Sequence, residues 1–259
     1  MAKEQNQTLG RGELHFAPFK PGTKIPDGFR YFGDSDAVSL NVSSETSDYY
    51  SSERGTKVKT RSATLQTDYA GSFGLTNIDF ENLAIFFLGS ASTVTQASAT
   101  GIQETFDAVK AGRSYQIGES DATPTGARQV TITAATVGAT PLVLNTDYTL
   151  DAPRGLVTFL DTSTVVTDGA DVAITYSLAA VSYERTVSGA SQIEGALRYD
   201  AYNAEGQNID YRMAWVKISP NGDLPLKGDD WMSMSFSLEI NKFGNREAIY
   251  ANGQPFVPA

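Results

Sequence analysis

Cysteine is absent from the 259 residues. That excludes disulfides and thiolate metal sites, and it fits a cytosolic origin. Histidine occurs once, at His15. A Ser-His-Asp triad would have to use it, and a histidine-based zinc site lacks ligands. It lies in Glu13-Leu14-His15-Phe16-Ala17-Pro18-Phe19, flanked by apolar residues, so packing or hydrogen bonding is its expected role. No Gly-x-Ser-x-Gly elbow, Walker A loop or dinucleotide fingerprint occurs. The longest wholly apolar run is Leu83 to Leu88. Six residues fall far short of the roughly 20 that a spanning helix needs. The opening Met1-Ala2-Lys3-Glu4-Gln5-Asn6-Gln7 lacks the apolar core of a signal peptide. A soluble, non-exported chain without membrane contact is expected.

Basic residues are in deficit: 20 against 30 acids, for a net charge of −10. A protein that grips nucleic acid needs a basic face, so the balance argues against one. A weakly repulsive wall past which DNA slides remains compatible with it. The charge is uneven. Residues 114–180 hold two bases, Arg128 and Arg154, against seven acids, so half of the net charge sits in about a quarter of the chain. That shift predicts a separate middle unit, 114–180, inserted into a domain made of 1–113 and 181–259.

What is present is period-2 alternation. Met232, Met234, Phe236, Leu238 and Ile240 alternate with Ser233, Ser235, Ser237, Glu239 and Asn241, which predicts a strand with one buried and one wet face. Val38, Leu40 and Val42 alternate with Ser39, Asn41 and Ser43. Ile193, Gly195, Leu197 and Tyr199 do the same farther on. Residues 57–69 read as a long strand rich in threonine, too polar to be packed on both faces within one subunit. The middle unit offers strands at 130–133, 142–144, 156–160 and 172–176 between turn signals, a small Ig-like sandwich.

One helix is predicted near 79–88, capped by Thr76 or Asn77 and stopped by Gly89. Phe80, Leu83, Ala84 and Phe87 follow the i, i+3, i+4, i+7 spacing of a buried face. A helix this apolar needs cover on more than one side, from its own sheet and from a loop or a neighbouring subunit. Trp215 and Trp231, the only tryptophans, sit in or beside strand patterns, so core packing is expected of both. Asp34-Ser35-Asp36 and Asp229-Asp230 are the closest carboxylate pairs and read as turns. No catalytic residue, cofactor or metal ligand stands out, and no enzyme activity is expected. The alternatives are a carbohydrate-binding adhesion module of a phage or bacterium and, more remotely, a carboxylate-based hydrolase.

Several phrases carry a resemblance. They are Gly10-Arg11-Gly12-Glu13-Leu14-His15-Phe16-Ala17-Pro18-Phe19, Gly28-Phe29-Arg30-Tyr31-Phe32-Gly33-Asp34, Ser39-Leu40-Asn41-Val42-Ser43-Ser44-Glu45-Thr46, Asp48-Tyr49-Tyr50-Ser51-Ser52-Glu53-Arg54-Gly55 and Asn82-Leu83-Ala84-Ile85-Phe86-Phe87-Leu88-Gly89. Together, and with residues 181–259, they resemble the major tail tube proteins of siphophages, whose long tails do not contract. The middle unit, with Thr146-Asp147-Tyr148-Thr149-Leu150-Asp151 and Gly155, resembles the insertion such proteins often carry.

The resemblance implies a mainly β, tail-tube fold: two packed antiparallel sheets, a flanking helix and an inserted β-sandwich on the tube exterior. It implies a structural virion subunit, made in the host cytoplasm, whose hexameric rings close their inner sheets into a β-barrel and stack into a tube. The lumen would hold a tape measure protein and later pass double-stranded DNA without specific binding. Tail tip and terminator proteins would close the ends. Ser47, Asp48, Tyr49, Tyr50, Ser51, Ser52, Glu53, Arg54 and Gly55, continuing to Thr56, would form the loop that reaches the adjacent ring. That polar loop is expected to be disordered before assembly. Val38, Leu40, Val42, Lys57, Lys59 and Arg61 would lie on the strands that pair between subunits. The inserted unit would decorate the surface, and tubes would form without it.

Overall fold

A computed structural model describes residues 7–53 and 55–254. Its elements are β1 (Gly12–Pro18), β2 (Arg30–Tyr31), β3 (Ser35–Ser51), β4 (Val58–Leu75), α1 (Phe80–Phe86), β5 (Ser90–Gln96), β6 (Ala99–Val109), β7 (Ser114–Gln116), β8 (Val130–Val137), β9 (Thr140–Pro141), β10 (Tyr148–Asp151), β11 (Leu156–Phe159), β12 (Ala170–Leu178), β13 (Val181–Val187), β14 (Ile193–Ala201), β15 (Ile209–Pro220), β16 (Met234–Ile240) and β17 (Tyr250–Gly253). The protein is mainly β. It divides into two compact units, Met1–Ala91 with Thr186–Ala259, and Ser92–Arg185.

The first unit contains one eight-stranded sheet, in the order β2-β1-β14-β15-β16-β4-β3, with β17 also paired to β15. The expected pair of sheets is therefore a single one that bends. Phe32, in the link between β2 and β3, is fully buried and stacks on Phe16 of β1 and on Phe73 of β4, each at 5.5 Å between ring centroids. In a flat sheet β1 and β4, four steps apart, would be separated by roughly 19 Å. One ring can touch both only if the sheet curls around it. Phe73 continues the stack onto Phe236 of β16 at 4.9 Å. The alternation in β16 resolves as expected, with Met234, Phe236, Leu238 and Ile240 buried in the core face. The strand begins only at Met234, where pairing with Leu75 begins. Met232 and Ser233, expected to belong to it, precede it.

α1 corrects several expectations. Asp79, not Thr76 or Asn77, is its N-cap, accepting a hydrogen bond from the Asn82 N–H at 2.6 Å. Phe80 and Phe87 are each 41% exposed, whereas Ala84 and Ile85 are buried and Leu83 is half-buried. The buried stripe is turned toward Asn82, which is fully buried. Its amide donates to the carbonyls of Phe32 (2.9 Å) and Asn77 (3.0 Å) and accepts from Arg30 Nη2 (2.8 Å). A polar side chain so satisfied can occupy the core, and it displaces the two phenylalanines to the rim. The helix ends in a Schellman turn. The Gly89 N–H donates to Ala84 C=O at 2.8 Å and the Leu88 N–H to Ile85 C=O at 3.1 Å. Leu88, at φ 51°, takes the left-handed position. Gly89 is needed for another reason: a Cβ there would lie 1.7 Å from the Val187 carbonyl oxygen.

The second unit holds two antiparallel sheets, β10-β11-β7 and β6-β12-β8-β9, around one core that includes Ile117, Val157, Phe159, Val172 and Ile174. It begins before residue 114, because β6 pairs with β12 along its length. The expected strand 142–144 is absent; β9 is Thr140–Pro141, and Asp147 organises the turn 143–147 in its place. That carboxylate is buried, accepting from the Val143 N–H (2.8 Å) and the Ser163 hydroxyl (2.5 Å).

Candidate assembly surface

β3 and β4 pair along almost their full length, from Ser35 opposite Leu75 to Ser51 opposite Val58. β16 covers the other edge of β4 only as far as Tyr69. Outward from Ser43 and Asp68 the pair is therefore a two-stranded ribbon, and β3 is a sheet edge throughout. Nine residues, Ser43 to Ser51, extend it by roughly 30 Å. Every residue from Ser43 to Tyr50 and from Val58 to Asp68 is exposed. Ser47 to Ser51, expected in a loop disordered before assembly, are strand residues; β3 stops only at Ser51 and β4 resumes at Val58. Polar sequence hides this extension because backbone pairing, not side-chain burial, defines it. Ser52, Glu53, Gly55 and Thr56 lie between the two strands, and Arg54 lies outside the described residues.

The arm carries its own polar cross-links. Asp48 accepts from Lys59 Nζ and from the Ser62 hydroxyl, both at 2.7 Å. The Lys59 ammonium, then the Ser62 hydroxyl, hold the Asp48 carboxyl below its ordinary range. A lowered carboxyl contributes stability that is full above about pH 3.9 and is lost as pH falls through the folded-state value. Amide exchange across the arm should accelerate as pH falls below about 3.9, relative to neutral pH and after correction for intrinsic rates, and D48N should abolish that difference. Equal pH dependence in D48N would remove Asp48 as the cause.

The two faces of the sheet differ. Val38, Leu40 and Val42 lie on the core face, opposite Phe73, Gly71 and Tyr69. Val38 is half-buried, while Leu40 and Val42 are exposed; Val38 and Leu40 line an open groove of about 460 Å³ with Leu197, Tyr199, Met213 and Leu238. On the opposite face a row of serines, Ser39-Ser72-Ser237-Ser219, crosses four strands, with Ser39 and Ser72 hydroxyls 2.8 Å apart. The next row reads Asn41-Ala70-Glu239-Lys217-Glu194. Lys57, Lys59 and Arg61 sit on or beside the arm, Arg61 opposite Tyr49. Among the described residues, no group of three or more His, Asp or Glu is placed to hold a metal ion.

A family model described as "Protein of unknown function UCP028589" matches residues 7–248. The chain belongs to that family. The match runs through both units, so the arm and the middle unit alike lie within it. No curated protein matches the chain.

Sequence reasoning missed two features. His15 lies on the polar face, half-buried, with Nδ1 3.7 Å from Asp200 Oδ2 and its ring against Tyr31. Asp200, itself buried, pairs through both oxygens with Arg198 at 2.5 and 2.6 Å. More consequential are the tryptophans. Trp215 is half-buried with Lys24 Nζ 3.0 Å over its ring. Trp231, expected in the core, is 94% exposed, and nearby Leu226 is 80% exposed. The turn-forming Pro220-Asn221-Gly222-Asp223 and Gly228-Asp229-Asp230 around them were the available signal that this stretch leaves the sheet.

Proposed function

We propose that the protein is a structural subunit of a phage tail tube, with no enzymatic role, that assembles with copies of itself into stacked hexameric rings. The observation that carries this reading is the β3–β4 arm. A two-stranded ribbon with no buried face is marginal in water, and a long unpaired edge invites another strand. Closing a ring by heterologous pairing satisfies such edges without leaving new ones. The siphophage resemblance supplies the ring count, the lumen, the tape measure protein within it and the tip and terminator proteins at its ends. The serine row and its neutral-to-acidic companion row suit a lumen wall that DNA passes without being held, since they offer phosphate no basic surplus. The exposed Phe80 and Phe87 suit cover by a neighbouring subunit. The acidic middle unit would lie on the tube exterior of the virion tail.

Negative-stain microscopy and sedimentation of the full chain test this. Rings and filaments are expected as concentration rises. A monomer that persists at high concentration, with arm amides already protected, would refute it. A second reading, a carbohydrate-binding adhesion module, is favoured by the exposed Trp231. It predicts a monomer whose tryptophan emission shifts on titration with glycans and whose W231A variant does not respond.

A further inference from the structure

The sheet of the first unit has two unlike ends. β15 runs from Ile209 to Pro220, and its register places Val42, Tyr69, Ile240 and Ala201 toward one end and Ser35, Leu75, Met234 and Ile193 toward the other. The arm projects from the first end. The loop 221–233, between β15 and β16, projects from the second.

Their chemistry is complementary. From Ser47 to Ala63 the sequence holds Arg54, Lys57, Lys59 and Arg61 against Asp48 and Glu53, a net charge of +2. From Asn221 to Ser233 it holds Asp223, Asp229 and Asp230 against Lys227, a net charge of −2. Each segment also exposes apolar surface it does not use: Tyr49, Tyr50 and Val58 on the arm, Leu226 and Trp231 on the loop. Aromatic anchors ringed by opposite charge are the ordinary makings of a specific contact. The loop cannot serve the arm of its own copy, because the two lie at opposite ends of one sheet.

We infer that the loop 221–233 is the seat for the arm of a second copy, the one stacked beyond it, with Trp231 and Leu226 packed against Tyr49, Tyr50 and Val58 and the aspartates facing Lys57 and Arg61. This rests on the ring-stacking reading above and adds to it a defined receptor. Joining the arm end of each copy to the loop end of the next is a head-to-tail contact, which propagates along one axis.

The test uses three full-length variants. D229K/D230K should still form rings but lose filaments. Adding K57D/R61D to it, which restores opposite charge, should return them. In the cysteine-free background, S52C/L226C filaments treated with a mild oxidant should give a ladder of linked copies on denaturing gels, and neither single variant should. Wild-type filaments should also fall apart near 1 M salt, where the Debye length is about 3 Å. Filaments that persist in D229K/D230K, or an unlinked S52C/L226C, overturn the loop as the seat and leave the tube reading standing. A wild-type chain that makes neither rings nor filaments overturns both.

Discussion

Phe32→Ala is expected to destabilise the first unit by about 3–5 kcal/mol, the usual loss for emptying a fully buried phenylalanine site. For a unit of this size that lowers the midpoint of thermal unfolding by roughly 10 °C. The expectation rests on position as much as on area. Phe32 is the ring on which the β1 and β4 regions of the sheet both stack, and its neighbour Phe73 passes the stack to Phe236, against which Phe86 of α1 packs edge-on at 5.9 Å. Its carbonyl also accepts the Asn82 amide, so the link that carries the ring fixes the helix too. The site has no loose neighbour that could collapse into the space, since Phe16, Phe73, Leu75 and Phe236 are themselves buried. Both tryptophans lie in the first unit, and Trp215 is half-buried, so its fluorescence in urea reports this unit and not the other. Phe32→Leu, which keeps most of the apolar volume, should lose less than half as much. A Phe32→Ala loss under about 1 kcal/mol would mean that the sheet does not depend on this ring for its curvature.

The parts of the fold legible in sequence are those where burial and strand period coincide. β16 announces itself because each core residue is followed by a polar one, β14 does so through Ile193, Leu197 and Tyr199 despite the irregularity at Ala196, and β8, β11 and β12 do so by short β-branched runs between turns. Phe32 left no such trace. It stands in a link, outside any periodic stretch, and its role comes from a bend that only long-range pairing creates. Asn82 was illegible for the opposite reason: a hydrophobic pattern cannot anticipate a polar residue whose partners are the carbonyls of Phe32 and Asn77 and the guanidinium of Arg30. The same blindness placed Phe80 and Phe87 inside. The start of the second unit was missed because β6 is assigned to it by β12, more than sixty residues later. At the candidate assembly surface, the long polar strand 57–69 was readable and is the outer part of β4, but the run of β3 on to Ser51 was not, because a ribbon with no buried side has no alternation to display.

Replacing Ser43–Asp68 by an Asn-Gly turn is expected to abolish filaments while leaving the first unit folded. Val42 and Tyr69 are paired partners, so a two-residue turn can rejoin them with the twist the flanking strands require. The deletion removes no member of the core cluster: the buried part of β4 begins at Phe73, and Tyr69 and Val38, the nearest side chains packed on that core, remain. Every deleted side chain on the strands except that of Ser51 is exposed, so tryptophan-monitored unfolding should shift by less than about 1 kcal/mol, as surface changes do. Assembly should respond without such tolerance. The arm holds the free edge beyond the reach of β16 and, among the described residues, is the segment long enough, at roughly 30 Å, to reach past its own sheet. An ordinary solvent-exposed hairpin would make no difference to assembly when removed. Filaments of normal length from the shortened chain would therefore reduce the arm to that status, and would move the search for the contact between rings to the exposed faces of α1 and the loop around Trp231.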